Sequence, residues 1–109
     1  DLVAALTGIH TAYYLMHSIN LGKNFDDIEA VMARGFATAA QAAGVSQIVY
    51  LGGIANDKKS SQHLASRVQT GTELASGTVP VLELRAGIII GSGSASFEML
   101  RHLTHRLPI

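Results

Sequence analysis

The chain has 109 residues, and its eight basic and eight acidic side chains give a formal net charge of zero. The absence of cysteine excludes a disulfide scaffold and a thiolate metal site. The balanced charge argues against nucleic-acid binding, and the apolar runs are far shorter than the roughly 20 residues that a membrane span requires. With 48% hydrophobic and 15% charged residues, the sequence predicts one soluble domain of α/β size, or part of one.

The first elements predicted along the chain are a short helix and a strand. Residues 2–7 are mostly apolar and are followed by Gly8, which suits a left-handed helix stop. Residues 10–16 are almost continuously apolar or aromatic, which favours a strand covered on both faces. Because the sequence opens in mid-pattern without an initiator methionine, we expect a fragment of a longer protein; the alternative is a short natural leader helix.

A helix, a strand and a second helix are predicted next. Residues 25–43 carry apolar side chains at helical spacing, with acidic residues such as Glu29 near the positive end of the helix dipole. Residues 47–51 indicate a second buried strand. Residues 61–76 predict a weaker helix, because Gly71 and several serines and threonines lie inside it.

The last predicted elements are a third strand and a final helix. Residues 81–86 follow a proline and predict a strand, for which a continuation through Ile90 is an alternative, and residues 96–106 predict the helix. Strands that alternate with helices of this length specify βαβ units, whose right-handed crossovers produce a parallel sheet. The predicted fold class is therefore α/β, with about three parallel strands and flanking helices.

Three stretches of the sequence resemble one protein family. Residues 42–53 (AAGVSQIVYLGG) resemble a stretch of the extended and atypical short-chain dehydrogenases/reductases. Residues 13–18 (YYLMHS) and 84–98 (LRAGIIIGSGSASFE) resemble a bacterial, NmrA-like branch of that superfamily. The resemblance covers essentially the whole chain. It implies that residues 1–109 are one partial Rossmann-like domain for NAD(P), whose glycine-rich pyrophosphate turn lies outside this sequence.

Residues 91–96 (GSGSAS) superficially match the dinucleotide fingerprint G-x-G-x-x-G/A. The sixth position is serine, and too few residues follow for a second strand that would carry the ribose-binding acid. We interpret this stretch as a loop that leads into a helix, whose first backbone amides can still bind an anion.

Cofactor-binding residues are predicted where the three strands end. Ligands of open parallel sheets bind beyond the carboxyl ends of the strands, so residues at these ends are expected to line one crevice. They are His17, Ser18, Gly52, Gly53, Ala86, Gly87 and Ile88. The resemblance implies that the nicotinamide and its ribose lie there. Glycines permit a close backbone approach, although turn formation explains them equally well.

Catalytic residues are expected on the helix predicted over residues 61–76. The resemblance implies a serine after strand 47–51 and a Tyr-x-x-x-Lys motif on this helix. Neither is present: glycines follow the strand, and His63 and Arg67 occupy the tyrosine and lysine positions. Histidine can transfer protons near neutral pH, and arginine can hold a ribose or phosphate. An ordinary polar helix face is an equally good interpretation.

These residues lead to three functional hypotheses for a cytoplasmic protein. The first is an NAD(P)-dependent reductase or epimerase that acts on an unknown small molecule. The second is a non-enzymatic, NmrA-like nucleotide-binding regulator, which the missing serine and Tyr-x-x-x-Lys motif favour. The third is a chain that is inactive alone because it lacks the glycine-rich phosphate loop.

Three further expectations concern contacts and partners. The strand around Tyr13 would leave an open edge, which predicts self-association. Glu83 and Arg85 lie on one side of their strand and can pair. His102 and His105 have metal-ligand spacing on the last helix but lack further ligands, so no metal site is predicted.

Overall fold

The computed structural model describes residues 1–16, 25–54, 62–87, 89–91 and 93–107 of the chain. Helices and strands alternate along these residues after an initial helix. In chain order they are α1 (Leu2–Leu6), β1 (Thr11–Tyr14), α2 (Phe25–Ala42), β2 (Gln47–Gly53), α3 (Gln62–Ala75), β3 (Val81–Ala86) and α4 (Ala95–Arg106). The predicted order of elements is confirmed, although β3 ends at Ala86 and does not extend to Ile90.

The ends of the first two helices follow the local chemistry of their residues. The Asp1 carboxylate accepts a hydrogen bond of 3.0 Å from the Val3 backbone amide and so caps the start of α1. Gly8 and Gly44 follow α1 and α2 with φ angles of +79° and +74°, in the left-handed region that glycine tolerates best. Both glycines therefore end their helices as predicted.

The three strands form one parallel sheet in the order β1-β2-β3, with β2 in the centre. Tyr14 of β1 lies beside Tyr50 of β2, which in turn lies beside Glu83 of β3. The predicted fold class, a partial Rossmann-like parallel sheet with flanking helices, is confirmed. Because the strands are parallel, the carboxyl ends of β2 and β3 meet at one edge of the sheet.

The core lies between one face of this sheet and helices α1, α2 and α3. Ile48 and Tyr50 of β2 are fully buried against this layer, together with Leu74 of α3. Tyr14 packs edge-to-face on Phe36 of α2, with 5.0 Å between the ring centroids. Small residues of α2 complete the layer by allowing the helix to approach closely; they include Ala33, Ala37 and Ala40.

The opposite face of the sheet is apolar; among the described residues it is exposed on β1 and β3, whereas Val49 of the central strand is buried. Tyr13 is 67% exposed, and Leu82 and Leu84 are 48% and 49% exposed. Burial alternates along β1, so the expectation that residues 10–16 are covered on both faces is wrong for the part of the chain that is described. The cause is that the three packed helices contribute to a core on one face only.

Helix α4 stands apart from this core, since none of its residues is buried. Its apolar residues Met99, Leu100 and Leu103 are exposed to solvent. Across the residues placed by the structure, no helix has both the length and the hydropathy of a membrane span.

Candidate functional site

A cleft of about 480 Å³ opens at the carboxyl ends of β2 and β3, beside the first turns of α3. This volume lies within the usual range of small-molecule sites, about 300–1,000 Å³. The lining residues come from the two strands, the segments that follow them and one face of α3. They are Leu51, Gly52, Gly53, Ile54, His63, Leu64, Arg67, Ala86, Gly87 and Ile89.

The cleft brings together most of the residues that the sequence singled out. Those lining it are Gly52, Gly53, His63, Arg67, Ala86 and Gly87. The other three, His17, Ser18 and Ile88, lie outside the described residues. The two candidate catalytic side chains thus share one concave surface with the ends of β2 and β3.

Arg67 of α3 is held in this cleft by two neighbouring residues of β2. Its guanidinium group lies over the Tyr50 ring, 5.1 Å from the ring centroid, and donates a hydrogen bond to the Leu51 carbonyl oxygen. The Tyr50 hydroxyl donates a hydrogen bond of 2.9 Å to the Arg67 backbone carbonyl. Since Tyr50 is fully buried, these contacts fix the Arg67 side chain beside the end of β2.

His63 lies one helical turn before Arg67, so both side chains are on the same side of α3. Its side chain is exposed, whereas Arg67 is partly buried. His63 is therefore placed to meet a ligand at the exposed rim, and Arg67 at the deeper wall.

The two glycines at the end of β2 lie in close contact with neighbouring side chains. A Cβ atom on Gly52 would lie 2.6 Å from Oε1 of Glu83, and one on Gly53 would lie 3.0 Å from Cδ2 of Leu64. Neither glycine has a positive φ angle. A left-handed turn therefore does not explain them. A larger residue would displace the flexible ends of Glu83 and Leu64, and at Gly52 its Cβ would also lie 3.3 Å from Cε1 of the buried Tyr50.

Burial governs the ionisation of the two core tyrosines. Loss of solvent raises the pKa of Tyr50, and the positive charge of Arg67 opposes this shift. Burial also raises the pKa of Tyr14, with a further contribution from the negative charge of Glu29. Both phenols stay protonated at neutral pH, so neither offers a phenolate base to the cleft, and the Tyr50 hydroxyl acts as a hydrogen-bond donor.

Sequence reasoning missed the apolar walls and the support of Arg67. Leu51 and Ile54 flank the two glycines, so their proximity in the sequence was a usable signal. Nothing in the sequence pattern indicated that Tyr50 would lie under the Arg67 guanidinium, since 17 residues separate them.

The remaining candidates do not line the cleft. Glu83 and Arg85 form the expected ion pair, with 3.0 Å between the carboxylate and the guanidinium. His102 and His105 are exposed on α4, where Glu98 is bound to Arg101 at 2.8 Å. The described segments contain no group of three or more histidine, aspartate or glutamate residues placed to hold a metal ion.

The parallel order, the crossover helices and the cleft at the strand ends define an α/β fold of the Rossmann type. Two solved structures of triphenylmethane reductase from Citrobacter sp. share this fold, each with a TM-score of 0.69 and 20% sequence identity. One of them is a complex with NADP(H). The alignment covers 95% of this chain and 34% of the reductase, so the chain spans about a third of that protein's length. No protein-family model and no curated protein matches the sequence.

Proposed function

We propose that the cleft binds the nicotinamide and ribose of NAD(P), and that the protein is part of a reductase of the NmrA-like, atypical short-chain dehydrogenase/reductase type. One observation carries the proposal: residues selected from three separate parts of the sequence converge on one cleft at the ends of adjacent parallel strands. A fold neighbour that was crystallised with NADP(H) supports the choice of cofactor.

The cleft has space for a planar ring. Gly52, Gly53, Ala86 and Gly87 present backbone with little or no side chain, and a Cβ atom on Gly87 would meet no described atom closer than 3.9 Å. Apolar side chains close the remaining walls. In the proposal these residues contact the nicotinamide ring, and His17, Ser18 and Ile88 belong to the same cofactor site.

Each candidate catalytic side chain has a separate proposed role. When bound, reduced nicotinamide supplies a hydride to an electrophilic carbon of the substrate. His63, in its protonated form, donates the proton that balances this transfer, and its exposure allows it to regain a proton from solvent. Arg67 donates hydrogen bonds to the ribose hydroxyls from the position that Tyr50 and Leu51 fix. An epimerase would use the same two residues.

A nucleotide-binding regulator without catalysis is the second candidate. No tyrosine lines the cleft in the described part of the chain, and the Tyr50 hydroxyl is bonded to a backbone carbonyl. The usual tyrosine acid/base is thus absent from this surface. A regulator of this kind would bind NAD(P) and transfer no hydride.

Cofactor titration separates these hypotheses. The 109-residue protein is titrated with NADPH, NADH and reduced nicotinamide mononucleotide, and binding is followed by nicotinamide fluorescence. We expect Arg67→Gln to weaken binding of all three, whereas Arg101→Gln on α4 is the matched control and leaves binding unchanged. Binding with turnover of a carbonyl or dye substrate supports the reductase. Binding without turnover over a broad panel supports the regulator, and no binding of any nucleotide overturns both for this chain.

We also propose that the protein self-associates through β1 and acts in the cytoplasm. In the described residues β1 pairs only with β2, so its outer edge offers unpaired backbone donors and acceptors. The exposed apolar face beside this edge adds a driving force for association.

A further inference from the structure

Arg67 is bound differently from three other arginines of the described chain. Arg34, Arg85 and Arg101 each form an ion pair with a glutamate, at 2.8–3.0 Å. None of the ion pairs among the described residues involves Arg67, whose contacts are an aromatic ring and a neutral carbonyl oxygen. Its positive charge is thus positioned in the cleft without an ion pair to a carboxylate of those residues. The charges of Glu29 and Glu83 also reach Tyr50, but these carboxylates are bonded to Ser66 and Arg85.

The other walls of the cleft are unsuited to a substrate with many hydroxyl groups. The aliphatic side chains of Leu51, Ile54, Leu64 and Ile89 line it, and His63 and Arg67 are the polar side chains among its described lining residues. Arg67 can bond the ribose hydroxyls of the proposed cofactor, but a polyhydroxylated substrate beside it would bury further hydroxyl groups against aliphatic side chains that cannot form hydrogen bonds. The lining favours a ligand with an apolar body.

We infer that the substrate of the proposed site is a small hydrophobic acid, whose apolar body contacts the aliphatic walls and whose carboxylate pairs with Arg67. A guanidinium group has five N–H donors in a planar fork that matches a carboxylate. One donor is used by the Leu51 carbonyl oxygen, which leaves donors for both a substrate carboxylate and a ribose hydroxyl. The Tyr50 ring under the guanidinium keeps the fork oriented.

This inference rests on the proposed function only in treating the bound acid as the substrate of the enzyme. Binding of the acid itself needs no cofactor. A matched pair of probes, 1-naphthoate and 1-naphthamide, has the same ring system and differs in charge. Both are titrated into the cofactor-free protein by isothermal calorimetry, and chemical-shift changes of the cleft residues locate the site. We expect naphthoate to bind about tenfold or more tightly than naphthamide, as a charge-assisted hydrogen bond predicts.

Variants of Arg67 decide the origin of this preference. Arg67→Gln is expected to remove the preference for naphthoate, Arg67→Lys to keep part of it, and Arg101→Gln to keep all of it. Circular dichroism checks that each variant is folded. If Arg67→Gln is unfolded, the test uses Arg67→Lys, whose preference for naphthoate should be smaller than that of the unmodified protein. Equal binding of the two probes, or a preference that survives Arg67→Gln, overturns the inference.

The same titrations separate this inference from the proposed function. If naphthoate is preferred but no nicotinamide nucleotide binds, the cleft is an acid-binding site and the cofactor proposal fails. If NADPH binds but the two probes are equivalent, the cofactor proposal stands and the hydrophobic-acid inference fails.

Discussion

The Ser66 hydroxyl donates a hydrogen bond of 2.6 Å to Oε2 of Glu29, and both side chains are buried. This bond joins α3 to α2 beneath the sheet. Taking a carboxylate out of water is costly unless hydrogen bonds replace its hydration. The Ser66 bond therefore helps to hold α3, the helix that carries His63 and Arg67, against α2.

Replacing Ser66 with alanine tests this connection. Ser66→Ala removes a bond to a buried carboxylate, so we expect the free energy of unfolding to fall by about 1–3 kcal/mol. Urea denaturation followed by circular dichroism measures the change. Ser96→Ala on α4 is the control, because Ser96 is exposed and its replacement should change stability by less than about 0.5 kcal/mol. Equal effects of the two substitutions would contradict the assigned role.

An ion pair between the same two helices predicts a dependence of stability on acid. Arg34 donates two hydrogen bonds to Glu73, of 2.8 and 2.9 Å, and these hold the pKa of Glu73 below its usual value of 4.5. A pKa that is lowered by folding adds stability above pH 4.5, which is lost as the pH falls through the folded-state pKa. We expect Glu73→Gln to lower the free energy of unfolding slightly at pH 7 and to leave it unchanged near pH 3, where Glu73 is protonated, so that the dependence on pH below 4.5 becomes flatter; the change is small because the Arg34 side chain is exposed and solvent screens the pair.

Arg34→Gln provides the matched test of this pair. Unfolding free energies are measured from pH 3 to pH 7, a range chosen about the usual pKa of a glutamate. The Arg34→Gln and Glu73→Gln variants should lose the same part of the acid dependence, and the double variant should lose no more than either. Additive effects in the double variant would mean that the two residues act separately.

Replacement of two helical glycines with alanine is expected to change the stability of the protein differently at the two positions. Gly35 lies in α2 with no described atom within 4 Å of an added Cβ, so Gly35→Ala should stabilise the protein by about 0.5–1 kcal/mol through helix propensity. Gly71 lies in α3, where an added Cβ would be 3.3 Å from Cε1 of the fully buried Tyr50. Gly71→Ala should not produce this stabilisation, because the contact with Tyr50 offsets the gain in helix propensity and Tyr50 cannot move freely in a close-packed core. Thermal or urea unfolding compares the two variants. Equal stabilisation would show that the Tyr50 ring shifts to accommodate the added methyl group.

The balance between local and non-local signals explains which features the sequence could reveal. Hydrophobic periodicity and the glycines at positions 8 and 44 depend on neighbouring residues, so element order and helix ends were predictable. Glu29 was expected to act through the dipole of α2, but it is buried against Ser66, 37 residues away. Tyr50 and Arg67 likewise meet only after β2 and α3 have packed. Side-chain partners of this kind depend on tertiary packing and leave no periodic signal.

The candidate site shows the same division. The rule that ligands bind at the carboxyl ends of parallel strands selected Gly52 and Gly87, and both line the cleft, because the rule needs only strand order and direction. It gave no information on Leu64 or Ile89, which form apolar walls. Their contribution follows from how α3 and the segment after β3 approach the sheet, and this depends on packing.

The exposed sheet face predicts self-association that a single charge should weaken. Tyr13 and Leu82 lie on this face on either side of Val49, to which both are paired in the sheet register. Parallel sheets are usually covered on both faces, so association of two such surfaces buries apolar area that is otherwise in water. Because Tyr13 also lies on the edge strand, Tyr13→Lys places a charge where natural edge strands use lysine to block pairing.

Sedimentation velocity over a range of concentrations measures this effect. We expect Tyr13→Lys to weaken association about tenfold or more, since each tenfold step corresponds to about 1.4 kcal/mol of binding free energy. Gln41→Lys is the control, because Gln41 is an exposed residue of α2 away from this face. If the unmodified protein is monomeric at every concentration, the association proposal is wrong. If Gln41→Lys weakens association as much as Tyr13→Lys, net charge rather than the β1 edge controls it.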